Sequence, residues 1–497
     1  MFRFFLPLAL ICLGFQATSS TFAQNLELAS PFGDHMVLQR ELPLNIWGWS
    51  KPNTQVEVAI AEQTATTQAD DQGRWKLQLK PMPAGGPFTL TTTSDGQSIK
   101  LEDVLVGEVW ICSGQSNMQM GYGGIPEIKK LAEKAKSLPI RCLSVQQDVA
   151  FEPQERCHAR WIVGPGSSAV ATAFAYDLQQ ALDVPVAVIE TSWGSSSIEG
   201  WMPRSLAEGM PHFQQQLKQL DTKDHDRVAK LMEDRDVGKK WIREDNIYLR
   251  TRPNLLYNAM LYPLAPFTVR GMVWYQGEAN AGSIASMKQY GDTLTTWTKH
   301  LRTLWPEDFQ VLAVMLPRYG RVASSSPTQD VASPAAHSWA WFRESQAKLL
   351  TLPGTGIANT IDLGDVKDIH PKDKRPIGKR LALLAENLRK PGLMESSGPQ
   401  LAKFKVDGNT AIVKLSHAEG LTTTDGKSPS GFWIAGKDRQ WKPATAVIDG
   451  DTIRLTNQEV TKPTAVRYAF TAFPSVNLVN AQQLPAVPFR TDDDSPQ

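Results

Sequence analysis

Cysteine and histidine are scarce in this chain, with four and eight among 497 residues, and neither a Cys-x-x-Cys nor a His-x-x-x-His spacing occurs. That removes the usual ligand frameworks for zinc, so no metal and no cofactor is expected. Charge of one sign is lacking as well. Lys and Arg total 52 against 51 Asp and Glu, which argues against nucleic acid or an anionic membrane as partner. Long apolar runs are confined to the start, where Arg3 precedes the mostly apolar segment 4–15 and small Thr21 and Ala23 flank a cleavage position. This predicts a signal peptide over residues 1–23 and a secreted or periplasmic protein. Ile11 is too bulky to precede Cys12 in a lipoprotein motif. No later run approaches the roughly 20 apolar residues of a membrane span, so no membrane insertion is expected. Nothing in the pattern reads out an oligomeric state.

What is present falls into three parts. Residues 24–103 carry short alternating runs at 44–49, 56–60, 75–79 and 88–92, broken by Gly, Pro, Asn and Asp. This predicts an N-terminal β-sandwich. From 104 to 392, apolar strands at 105–111, 184–191, 269–275, 309–316 and 356–361 alternate with helical stretches at 169–182, 289–304 and 374–388. That is the signature of an α/β domain around a mostly parallel sheet. A charged stretch at about 203–250 reads as solvated helices inserted there, a surface insertion more than a cap over a site. From 393 to 497, strand runs at 410–415, 431–435, 452–455 and 465–470 predict a C-terminal β-domain. Asp103 and residues 390–399 are the expected linkers. Cys142 and Cys157 could pair in an oxidising compartment, although sequence does not give connectivity.

Chemistry gathers where the α/β strands end, because the crevice of an open parallel sheet lies outside its carboxyl edge. Four of the five strands run into polar loops: 113–118 (SGQSNM), 192–201 (SWGSSSIEGW), 276–280 (QGEAN) and 362–371 (DLGDVKDIHP). A serine nucleophile needs a base, a group to orient that base and donors for an oxyanion. Ser116 fills the first role and His370 the second. Asp368 is the expected orienting acid, with Asp365 the alternative. Oxyanion donors are expected from the backbone of Ser116 and Gly194 and from the side-chain amide of Gln276 or Asn280. Glu278 reads as a loop anchor before a catalytic carboxylate, and Arg343 with Glu344 as a structural ion pair, Arg343 being the alternative partner for a substrate carboxylate. Arg252 and Lys367 are further cations for such a group. Trp193, Trp201 and Trp274 suit either core or stacking on a ligand ring, with Trp193 and Arg343 carried as the substrate-binding expectation.

At these residues the chain resembles the sialate O-acetylesterase family of the SGNH hydrolase superfamily. The resemblance rests on 107–118 (GEVWICSGQSNM), 192–194 (SWG), 274–280 (WYQGEAN) and 368–371 (DIHP), in that order, and extends to 36–40, 341–346, 361–364, 466–468 and 488–492. It implies a flavodoxin-like SGNH core and metal-free serine esterase chemistry that removes O-acetyl groups from carbohydrates through an acetyl-enzyme. Within that class the substrate is either 9-O-acetylated sialic acid or an acetylated xylan or other plant polysaccharide. A different class, a catalytically silent carbohydrate-binding protein, is the remaining alternative. The chain departs from the pattern twice. Lys367 stands three residues before His370, where superfamily members often have the acid, and Ser195 stands where relatives commonly have a second glycine.

Overall fold

The structure is a computed structural model that describes residues 25–306 and 308–496. The expected signal peptide lies outside the described residues. One strand, Gln97–Gly114, organises the molecule. Its first half alternates with solvent, whereas residues 104–114 are buried without interruption, as expected of a strand covered on both faces. This inner half pairs in parallel with Val186–Ser192 on one side and Gly271–Tyr275 on the other. Ile140–Val145 extends the first side, and Gln310–Val314 and Thr355–Ala358 the second, all in parallel register. Ala159–Val163 adds an antiparallel edge.

Residues 97–107 of the same strand carry a different set of neighbours. Gly85–Ser94 pairs with it antiparallel, Val37–Gln39 parallel, and Gln55–Ile60 and Gln63–Gln68 follow antiparallel. The result is one eleven-stranded mixed sheet within an α/β fold that has further β-sheets. The sheet is therefore mixed where a mostly parallel one was expected, antiparallel strands joining it through Gly85–Ser94 and Ala159–Val163. Asp103, expected as a linker, is instead a left-handed kink inside the long strand, with φ of 52°. Its carboxylate meets His35 and Arg141 at 2.8 and 3.2 Å, which fixes the kink. One buried cluster runs from Ile46 and Val58 through Val109 and Ile111 to Val188 and Trp297. A second cluster, including Val413, Ile434, Ile453 and Tyr468, packs the antiparallel sheets after Gln400.

Helices cover the parallel strands. Ala169–Leu182 begins at Ser168, whose hydroxyl accepts from Ala171 N–H at 3.1 Å, satisfying an end that the helix cannot satisfy itself. Ile284–Leu304 starts with a reciprocal Ser283–Ser286 capping box. Arg375–Arg389 packs on Ala169–Leu182 so closely that a Cβ at Gly378 would lie 2.4 Å from that of Ala173. Close approach also governs the strand ends. At Gly114 a Cβ would sit 2.1 Å from the Tyr275 carbonyl, with φ of 139°, so only glycine lets the chain turn here. Cys112, Cys142 and Cys157 are all free; the pairing of Cys142 with Cys157 that the sequence left open is not formed, Cys142 lying fully buried in its strand opposite Ile162. Among the described residues no helix is long and apolar enough to cross a membrane.

Candidate active site

The Gly114 turn delivers Ser116 into a single helical turn, Ser116–Gln119, at the carboxyl edge of the parallel strands. Ser168 anchors this turn by donating from its hydroxyl to the Met118 carbonyl at 2.6 Å. Ser116 is half-buried, and its Oγ lies 2.9 Å from His370 Nε2. His370 arrives from the loop between Thr355–Ala358 and Arg375–Arg389. That loop is pinned by a bidentate Arg380–Asp362 pair at 2.7 and 2.6 Å. The histidine and the serine, 254 residues apart in sequence, therefore meet as expected.

The acid is looser. Asp368 Oδ1 stands 3.7 Å from His370 Nδ1, beyond hydrogen-bond reach, and the same oxygen accepts the His370 backbone N–H at 2.9 Å. Asp365 turns away to accept the backbone N–H groups of Lys367 and Asp368 at 2.7 and 3.0 Å. It shapes the loop and makes no hydrogen bond to the imidazole. Burial depresses the His370 pKa, helped by the nearby Lys374 charge and opposed by Asp368. The ring is thus held neutral, the form that can accept a proton.

Gly194 lies against Ser116. A Cβ there would be 3.4 Å from that of Ser116, and its N–H is donated to Gln119 Oε1 at 2.7 Å. Ser195 takes a left-handed φ of 61°, which explains why glycine suits this position. The two amides expected as oxyanion donors are already committed. Gln276 is fully buried, and its NH₂ contacts Asn280 Oδ1 at 2.7 Å and Gln115 Oε1 and the Ser196 carbonyl at 3.2 Å. The Asn280 NH₂ meets both Glu199 oxygens at 3.0 Å. Gln276 has two hydrogens for three acceptors, and the Asn280 amide faces a buried carboxylate, so both side chains knit the loops together from beneath.

The substrate-binding expectations change too. Trp193 is 1% exposed and stacks on Trp241 at 6.2 Å, so it links the Gly194 loop to the inserted segment and has no free face. Trp201 and Trp274 are core residues, packed edge to face at 6.2 Å. Arg343 is 1% exposed and donates to the Pro317 and Thr471 carbonyls; burial pushes its pKa down to about 9. Glu344 pairs with Arg490 at 2.7 Å, not with Arg343. Arg252 is held by Asp224, and Lys367 is exposed on the loop.

Four residues carry more of the site than their sequence context announced. Asn117, within the nucleophile motif, and Lys374, read only as a helix start, are both fully buried. Glu278 joins them through Asn117 at 2.5 Å, consistent with an anchoring role. Arg250, from the helix Arg243–Arg250 of the insertion, reaches Ser195 Oγ at 3.4 Å. Its Nε has no partner, it makes no ion pair among the described residues, and burial with the neighbouring Arg243 charge lowers its pKa.

Comparison with known proteins converges on one class. Residues 106–232 match the family model described as carbohydrate esterase, sialic acid-specific acetylesterase. The mouse sialate O-acetylesterase is 28% identical over 512 residues, covering 93% of each chain. The human sialate O-acetylesterase is 28% identical over 488 residues, covering 90% of this chain and 88% of its own length. The crystal structure of a carbohydrate acetylesterase from Xanthomonas citri is 32% identical, covers 94% of this chain and 100% of its own, and superposes with a TM-score of 0.80.

Proposed function

Because the chain belongs to the sialate O-acetylesterase family of carbohydrate esterases, a class of carboxylic ester hydrolases, we propose that Ser116 is its nucleophile and His370 its general base, set on an SGNH-type core. Membership of an enzyme family disfavours the silent binding-protein alternative. The observation that carries the mechanism is the 2.9 Å contact between Ser116 Oγ and His370 Nε2. With the imidazole proton on Nδ1, Nε2 accepts the serine proton as Oγ attacks the acetyl carbonyl carbon. The oxyanion that forms is received by the backbone N–H of Ser116 and by that of Gly194 once Gln119 yields it, an arrangement worth about 3 kcal/mol per donor. Collapse expels the sugar oxygen, which takes the proton back from His370. Water, deprotonated by the same nitrogen, then releases acetate and restores the serine. Asp368 acts as a weak electrostatic partner of the imidazole. Since only neutral His370 accepts a proton and its pKa is depressed, the acid limb of kcat/KM falls below that of an exposed histidine near 6.5.

The substrate reading is an O-acetylated acidic sugar, with 9-O-acetyl sialic acid the leading case. Arg250 supports it, being a cation without a carboxylate partner among the described residues, one residue's reach from the Gly194 loop. Acetylated xylan, a neutral polymer, would leave that charge unused. The enzyme is further read as secreted, with an N-terminal β unit over 24–103, a catalytic unit over 104–392 with an insertion at about 203–250, and a C-terminal β unit from 393.

The test is acetate release from 9-O-acetylated sialic acid and acetylated xylo-oligosaccharide by wild type, Ser116→Ala and Arg250→Ala. Ser116→Ala should be inactive on both. Arg250→Ala should raise KM about tenfold for the sialic acid, the value of one charge-assisted contact, and leave the xylo-oligosaccharide unchanged. Equal KM effects on the two substrates would remove the acidic-sugar reading; an active Ser116→Ala would remove the mechanism.

A further inference from the structure

A lysine is rarely buried unless something specific holds it. Lys374 is fully buried, lies over the Tyr275 ring at 5.3 Å and donates to Asn117 Oδ1 at 2.5 Å. The two hydrogens of the Asn117 amide go to Glu278 Oε1 at 2.5 Å and to the Ile369 carbonyl at 3.1 Å. Glu278 is itself buried, and its second oxygen has no partner. One asparagine side chain thus fastens four segments: the nucleophile turn, the loop after Gly271–Tyr275, the histidine loop and the start of the Arg375–Arg389 helix.

The placement is specific. Asn117 directly follows Ser116, and Ile369 directly precedes His370. A buried Lys–Glu arrangement contributes little net stability compared with apolar residues of the same size, so fold stability alone does not explain it. We propose that Lys374, Asn117 and Glu278 form a buried clamp that positions Ser116 against His370, with Lys374 as the positioning residue whose charge also bears on the imidazole. The clamp rests on the serine–histidine reading above and adds a device to it.

The charged groups facing His370 are Lys374, from the helix start, and Asp368, from its own loop. Removing the Lys374 charge therefore lets the His370 pKa rise, and the acid limb of kcat/KM moves to higher pH. Lys374 is itself pushed down to about 8 by burial, against the opposing pull of Glu278 and Asp368. In the unmodified enzyme, kcat should therefore decline as pH rises through about 8 and the lysine gives up its proton.

The experiment compares Lys374→Met and Asn117→Leu with wild type and Ser116→Ala, recording kcat, KM, the pH profile and thermal unfolding. Loosened serine–histidine geometry should lower kcat by about tenfold to a hundredfold with KM changed less than about twofold in both variants. Only Lys374→Met should move the acid limb upward, since Asn117→Leu keeps the charge. Wild-type kcat and pH profile in either folded variant, alongside an inactive Ser116→Ala, would overturn the clamp and leave the serine mechanism standing. An active Ser116→Ala would instead overturn the mechanism beneath it. Should both variants fail to fold, the milder Lys374→Arg and Asn117→Ser decide: a kcat lowered at near-wild-type KM supports the clamp, and wild-type kcat in both refutes it.

Discussion

Two loops leave adjacent parallel strands at the same edge of the sheet and meet opposite fates. After Gln97–Gly114 the chain presents Ser116, half-buried, with the imidazole of His370 at 2.9 Å. After Gly271–Tyr275 it presents Gln276, fully buried, with its amide hydrogens and its oxygen all committed to Gln115, Ser196, Asn280 and Tyr290. Both loops are polar, and both are among the blocks on which the sequence resemblance rests. A polar loop at a strand end does chemistry only if its donors are left unspent; otherwise it is the scaffold on which the chemistry rests.

Mutations on the two sides should break differently. The largest effect belongs to His370→Ala, which should lower acetate release by roughly 10⁴-fold or more while leaving the unfolding midpoint near that of wild type. Gln276→Leu should do the reverse. Stranding the buried partners of its amide should cost about 3 kcal/mol in urea unfolding, and kcat per folded molecule should stay within about tenfold of wild type, since Gln276 gives no hydrogen to the oxyanion. If Gln276→Leu proves as inactive as His370→Ala but fully stable, the assignment of this loop to scaffolding fails.

Smaller effects sharpen the contrast. Asp368→Asn should cost less than about tenfold in kcat, because at 3.7 Å the carboxylate makes no hydrogen bond to the ring. Asp368 raises the His370 pKa, so its neutralisation should shift the acid limb of kcat/KM to lower pH; an unmoved limb would show that the pair is not coupled. Smallest of all, Ser195→Gly relieves a left-handed serine and should stabilise the fold by about 1 kcal/mol, read as a raised Tm.

Much of this was legible in the sequence, for identifiable reasons. The Ala169–Leu182 helix and the strands that carry the loops were marked by apolar periodicity, which reports what a segment must bury. Ser116 and His370 were marked by short motifs at strand ends. What sequence did not reveal was how each polar side chain is spent. Arg343 gives its guanidinium to the Thr471 carbonyl, 128 residues away, and Lys374 gives its ammonium to Asn117, 257 residues away. Such partners are set by tertiary packing and leave no local period. The mixed character of the sheet was hidden for a similar reason. A single strand serves both the parallel and the antiparallel set, and the kink at Asp103 resembles a linker when read by composition.

The most direct test of the central claim is to mix the enzyme with an activated acetyl ester, quench in acid within the first turnover, and map the protein by peptide mass spectrometry. One acetyl group is expected, on the peptide containing Ser116, absent from Ser116→Ala and cleared within the next turnovers. An acetyl group on any other residue, or steady acetate release with none ever found on Ser116, would contradict it.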